Sequence, residues 1–435
     1  MTTAINPQAQ VLNETIGKTH PVIVDVLSQK GKGIFFPKSS ILAQGAEAKG
    51  KDINATIGIA LEDDGTPMRL KTINDQIPLE PNDVYPYAPS FGKKELREKW
   101  QHMLREKNPS LGDKPISLPV VTNALTHGLS LMGYMFLDEG DEIILPNLFW
   151  GNYKLVFING HKAKLNPFTL FDGHRFNMKA FQEKLNEGPI GKKVVLMNFP
   201  NNPTGYTATN EEIKEIIAIF KAAAEAGNKL VVMMDDAYFG LVFREGIYKE
   251  SLFAELADLH PNLLAVKIDG ITKEDYAWGF RVGFITYGVK GGNAELYAAL
   301  EDKTAGALRG NISNSPHLSQ TLALNSFNSP LYPEEKKAKL QILENRYNLV
   351  CRLLDEKPHY KEHFSALPCN SGYFMCLQLE THNSETLRKH LLEHYSTGVI
   401  ALEGMLRIAF SSTPTQKLEQ LIENIFQACK DLDKK

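Results

Sequence analysis

At 435 residues, 43% hydrophobic and 23% charged, the chain has the make-up of a soluble globular protein long enough for two cores. Its net charge of −3 supplies no basic field for nucleic acid or an anionic membrane, and no apolar run approaches the ~20 residues of a membrane helix. No signal-peptide pattern stands at the N-terminus, and Cys351, Cys369, Cys376 and Cys429 form no CxxC pair, so a cytoplasmic protein with reduced thiols and no nucleic-acid or membrane partner is expected.

In chain order, the first eighty residues alternate short apolar pieces with breaks such as Asp63-Asp64-Gly65-Thr66-Pro67. After Gly92 the spacing of Leu96, Trp100, Met103 and Leu104 predicts an amphipathic helix over 93–107. A helix over 126–138 then leads into a strand over 142–146. Further strands are predicted at 194–197, 230–234, 263–268 and 282–286, with helices at 177–187, 210–226 and 293–306 between them. This alternation predicts an α/β fold, a mostly parallel sheet with helices on both faces, whose ligands bind outside the carboxyl ends of the strands. Near Pro330 the composition shifts. A long polar helix over 334–355, strands at 373–379 and before Phe410, a helix over 385–395 and a terminal helix predict a smaller α+β unit. The expected division is a large domain over 70–330 and a small one from 1–69 and 331–435.

Several predicted strand ends carry chemistry. Lys273 follows the 263–268 strand, and Arg281 opens the next one eight residues later. A lysine in a crevice sheds its proton and attacks carbonyls, and a guanidinium fork suits a phosphate; such pairs are also common as solvated surface charges. Asn201-Asn202-Pro203-Thr204-Gly205 is a turn that aims the Asn202 amide at the crevice, although a turn without a ligand uses the same residues. Asp235 ends an apolar strand where, ionised, it would keep a pyridine nitrogen protonated or cap a helix, with Tyr238 three residues on. Trp150 offers either a stacking face or a core ring. The strand-to-helix junction at Leu125 and Thr126 offers free backbone N–H groups to an anion.

Asn-Pro-Thr-Gly, Asp-x-Ala-Tyr and Lys-(x)7-Arg-Val-Gly in this order resemble the class I/II, fold-type I aminotransferases dependent on pyridoxal 5'-phosphate, closest to the aspartate aminotransferase branch, over about Asn54 to Phe410. The resemblance implies a seven-stranded-type sheet and a homodimer with shared active sites. It assigns Lys273 as the Schiff-base lysine, Asn202 and Tyr238 to the ring oxygen, Asp235 to the ring nitrogen, Arg281 with Leu125 and Thr126 to the phosphate, and Trp150 to stacking. Tyr87 is then the tyrosine that reaches the neighbouring subunit's phosphate. Arg407 takes the substrate α-carboxylate, Gly58 belongs to the segment that closes over it, and Arg309 crosses the dimer interface to a side-chain carboxylate. The implied reaction moves an amino group between an L-amino acid, aspartate- or glutamate-like or aromatic, and a 2-oxo acid. Departures are Gly270 in a serine slot, Tyr153 in a histidine slot, and Glu274-Asp275 after the lysine, which adds negative charge near the site.

β-Lyases and decarboxylases share this constellation; a lyase releases ammonia and pyruvate without an acceptor. His390-Leu391-Leu392-Glu393-His394 has the HxxEH spacing but sits in an ordinary amphipathic helix, and no metal is expected.

Overall fold

The computed structural model describes residues 5–7, 9–11, 13–14, 32, 44–45, 47–56, 58–66, 68–76 and 79–434. Ile57, Pro67 and positions 1–4 of the N-terminal reading lie outside them.

The central sheet has seven strands: β1 (Val120–Thr122), β2 (Glu142–Pro146), β3 (Lys164–Phe168), β4 (Lys192–Met197), β5 (Lys229–Asp235), β6 (Leu263–Gly270) and β7 (Gly283–Val289). Their order is β1-β7-β6-β5-β4-β2-β3, and only β7 runs against its neighbours. The inner strands β4 to β6 are near-continuous apolar runs because both of their faces are buried. β3 went unread in the sequence. Its Lys-Leu-Asn-Pro-Phe is short, partly exposed and interrupted by Pro167, which only an edge strand tolerates.

The helices of this unit are α1 (Lys94–Lys107), α2 (Ala124–Phe136), α3 (Met178–Asn186), α4 (Asn210–Glu225), α5 (Ala294–Ile312) and α6 (His317–Asn328), of which α2, α3 and α5 contact sheet strands and α6 packs on α1. α4 opens on a capping box between Thr209 and Glu212. α5 continues past the expected end at 306, through Gly306 and Gly310, to Ser313, whose φ of 68° breaks it before Pro316. α7 (Tyr332–Glu356) then leads to a four-stranded antiparallel sheet of β8 (Phe364–Ala366), β9 (Phe374–Leu379), β10 (Ile400–Leu402) and β11 (Met405–Ala409). α8 (Ser384–His394) packs on it, and α9 (Leu418–Asp433) packs on α7 and α8. The N-terminal segment joins this unit. Ile53–Asn54 pairs with Thr397–Gly398, and the Ala409 N–H donates to the Ala55 carbonyl at 2.9 Å.

All four cysteines are free thiols. Among the described residues no helix is long and apolar enough to cross a membrane.

Candidate active site

Because only β7 is reversed, the C-terminal tips of β1, β2, β4, β5 and β6 and the N-terminal tip of β7 share one edge of the sheet. Asp235 is the last residue of β5, Asn202, Lys273 and Arg281 lie just beyond the tips of β4, β6 and β7, and Trp150 follows β2.

The phosphate end is pressed together by missing side chains. Gly283 pairs with both Thr122 and Gly270. A Cβ on Gly283 would sit 2.8 Å from the Ala124 carbonyl carbon, and one on Gly270 would sit 2.5 Å from the Val282 carbonyl oxygen. A serine at 270 therefore does not fit this packing, which explains that departure as steric. Ala124 and Arg281 both hold left-handed backbone, φ 63° and 55°, which costs a non-glycine residue on the order of 1 kcal/mol and persists only where the surroundings enforce it. The result packs the start of α2, with its first N–H groups at Leu125 and partly buried Thr126, against Gly283, two residues beyond Arg281. The Arg281 guanidinium is half-buried, donates to the Trp278 carbonyl at 3.1 Å and has no acidic partner among the described residues. Helix N–H groups and an unneutralised guanidinium make an anion cradle.

Lys273 lies in a short helical turn, Ile271–Glu274, directly after β6. Its Nζ stands 4.7 Å over the Tyr238 ring. Burial, opposed by Asp235 and aided by Arg281, pulls its pKa down to about 8. At neutral pH a much larger share of it is free base than of an ordinary lysine. Its carbonyl accepts from the Tyr373 hydroxyl at 3.1 Å, a contact from β9's approach that the sequence did not signal.

Glu274 and Asp275 do not charge this cleft, contrary to expectation. Lys107 and Lys336 hold Glu274 at 2.7 and 2.8 Å, and Lys336 (3.1 Å) with the Tyr332 hydroxyl (2.6 Å) holds Asp275. The two acids instead tie the lysine turn to α1 and α7.

Asp235 is 4% exposed, and burial raises its pKa. The Tyr153 hydroxyl donates to its Oδ2 at 2.5 Å and the Ala237 N–H to Oδ1 at 3.2 Å. Tyr153, noted in the sequence only as a replaced histidine, is thus the direct partner of Asp235. Trp150, half-buried, meets the Tyr153 ring edge-on at 5.6 Å. Asn198 locks the neighbouring turn, donating to the Asp235 carbonyl at 2.7 Å and accepting the Asn202 N–H at 2.8 Å. Asn202 in turn touches the Tyr238 hydroxyl.

Arg407, on β11, is 2% exposed and has no carboxylate partner among the described residues. It donates to Asn202 Oδ1 at 3.1 Å and to the Thr56 carbonyl at 3.4 Å, stacks 4.0 Å over Phe374, and leaves Nε unpaired. A buried cation without a counter-ion is expensive and marks an anion's seat. Gly58 lies exposed two residues beyond Thr56.

Two assigned residues do not line this chain's own cleft. Tyr87 is 88% exposed, and Arg309 is exposed in the last turn of α5. They share a neighbourhood: the His317 ring contacts the Pro86 carbonyl at 2.7 Å, and Ser90 donates to the Ser313 carbonyl at 3.1 Å.

The family profile described as aminotransferase class I and II matches residues 53–425. The chain belongs to that family. It is 26% identical over 329 residues to an aspartate aminotransferase of Bacillus sp. (strain YM-2), covering 74% of this chain and 76% of that one. It is 25% identical over 359 residues to a probable aspartate/prephenate aminotransferase of Aquifex aeolicus, covering 80% and 83%. Its fold is similar to a crystal structure of an aminotransferase from Anaerococcus prevotii, with a TM-score of 0.81 at 23% identity over 92% and 98% of the two chains. This aminotransferase is therefore a pyridoxal 5'-phosphate-dependent transaminase with the fold-type I architecture. The cleft fits that cofactor: an anion cradle, a buried acid, a lysine of depressed pKa and an aromatic wall stand at one sheet edge.

Proposed function

We propose that this aminotransferase moves the amino group of a dicarboxylic L-amino acid, aspartate or glutamate, to a 2-oxo acid, as a homodimer with shared active sites. Pyridoxal 5'-phosphate supplies an aldehyde for the incoming amine and an electron-withdrawing ring. Leu125 and Thr126 N–H groups and Arg281 hold its phosphate, Trp150 covers its ring, and Asn202 and Tyr238 donate to its ring oxygen. Asp235, kept in place by Tyr153, holds the proton on the ring nitrogen. With the cofactor in place, Lys273 Nζ, part free base at neutral pH, would be the group that takes the proton from the substrate Cα, holds it and gives it back within the cleft. Arg407 orients the substrate through its α-carboxylate, and the small domain, 1–69 with 331–435, closes over it and excludes water.

The observation that carries the substrate reading is the placement of Arg309. An exposed arginine beside the exposed Tyr87 segment, both outside their own cleft, suits residues that reach a neighbouring copy's cleft. The relatives named as aspartate aminotransferases support the same choice. Aromatic donors are the second reading, favoured by the wall of Trp150, Tyr153, Tyr238 and Phe374.

Arg309→Ala is expected to lower kcat/KM for aspartate and glutamate by about 2–4 kcal/mol, roughly 30- to 1000-fold, while leaving phenylalanine within about threefold. Half-reaction spectra across an amino-acid panel, with light scattering for the dimer, check both points. Equal losses for all donors, or a monomer, would sink the proposal.

Arg407→Lys is expected to cost every donor alike. The point charge of lysine cannot reproduce a bidentate fork on a planar carboxylate, so kcat/KM should fall by about 100-fold, chiefly through KM. An unchanged KM would remove Arg407 from carboxylate binding.

A further inference from the structure

Away from the cleft, four potential ligands converge where α9 ends against the small sheet. His363 precedes β8, His382 lies between β9 and α8, and Cys429 and Asp433 stand one turn apart on α9. His363, His382 and Cys429 each offer a ligating atom, all within 4.8 Å of one another. Asp433 brings its carboxylate 3.7 Å from His363 Nε2 and 3.2 Å from His382 Nε2.

This is an uncomfortable arrangement for a plain core. His363 is 7% exposed and its Nδ1 has no hydrogen-bond partner, and His382 Nε2, although close to Asp433, forms no aligned hydrogen bond. Each buried unmade bond costs about 1–3 kcal/mol. The backbone nevertheless holds the two rings together. The Glu380 N–H donates to the His363 carbonyl at 2.9 Å, the rings stack 6.0 Å apart at 20°, and Phe426 braces His363 at 5.4 Å one turn before Cys429.

We propose that His363, His382, Cys429 and Asp433 bind one divalent transition cation of the zinc class. Bonds of about 2.0–2.3 Å in a tetrahedron put ligand atoms roughly 3.3–3.8 Å apart, so His363, His382 and Cys429 close on the ion with shifts of ~1 Å, and Asp433, which stands against the two histidines, turns its carboxylate to meet it. Two imidazoles, a thiolate and one carboxylate select zinc, cobalt or nickel over magnesium or calcium, which take oxygen ligands. Cys429 gives its thiol proton to solvent as the sulfur–metal bond forms, with no change of oxidation state. With four protein ligands the site is closed, so its role is structural: it pins the last turn of α9 to the segments flanking β8 and β9. No spacing in the sequence signals it, because the ligands come from three segments.

The test is titration of the chelator-treated, desalted holoenzyme with Co2+ and then Zn2+, read as difference spectra so that cofactor absorbance cancels. The expected result is one equivalent of tetrahedral cobalt with a thiolate-to-cobalt charge-transfer band, displaced by Zn2+. Zn2+ should also raise the melting temperature by at least ~2 °C. Cys429→Ser should remove the sulfur band, and both it and His382→Ala should weaken binding by at least ~100-fold. His382 is partly exposed, so its variant keeps the test open should the buried Cys429 change fail to fold. Transamination by each folded variant should stay at the wild-type rate. No stoichiometric binding, octahedral cobalt only, or affinity unchanged in the folded variants would overturn the site.

Discussion

Lys273→Ala is expected to fold, to hold the cofactor only non-covalently, and to turn over at most about 10⁻⁴ as fast as the wild type, since it loses both the covalent tether and the proton carrier. The geometry singles out this lysine over a rival in the same strand. Lys267 is fully buried, pairs with Asp236 and, at 3.2 Å, with Asp269, and these acids raise its pKa. It remains a locked cation and cannot act as a nucleophile. Lys273 makes no salt bridge among the described residues, stands over the Tyr238 ring, and burial, aided by Arg281 and only partly opposed by Asp235, brings its pKa down to about 8. After dialysis, the alanine variant should lose the visible absorbance of the covalently held cofactor and regain part of its activity with a small added amine. Lys267→Met should keep the absorbance and lose stability instead. A Lys273→Ala protein with an unchanged spectrum and rate would refute the assignment.

The parts of this site legible in the sequence are those punctuated by short-range rules. Asn202, Asp235, Lys273 and Arg281 each follow an apolar run closed by turn residues, so their position at strand tips follows from local pattern. What stayed hidden depends on partners far along the chain. Glu274 and Asp275 read as free charge, but their counter-ions Lys107 and Lys336 come from α1 and α7. Tyr153 read as a lost histidine, and only its approach to Asp235, 82 positions away, gives it a task. Gly270 read only as a departure from serine, whereas the antiparallel β7 leaves no room for a side chain there. The strand β3 was missed because an edge strand does not need the apolar run that marks a buried one.

Asp235 supports the second large effect, and its environment fixes the sign of a pH shift. Asparagine keeps the shape of the carboxylate but not its charge, so it cannot hold a proton on the ring nitrogen. Asp235→Asn is expected to lower kcat by about 10³-fold, some 4 kcal/mol, in line with losing a preorganised charge from a dry site. Tyr153→Phe isolates the support beneath it. Burial and Asp236 push the Asp235 pKa up, while the Tyr153 hydroxyl pulls it down by bonding the ionised form. Tyr153 can do so at any working pH, because burial and the adjacent carboxylate hold its own pKa well above 10. Removing that donor therefore lets Asp235 take up its proton at a higher pH. Activity that depends on the ionised acid is lost as pH falls through this raised value, so the acid limb of the kcat profile should move to higher pH. A profile whose acid limb stays in place, or moves to lower pH, would show that Tyr153 does not tune the acid.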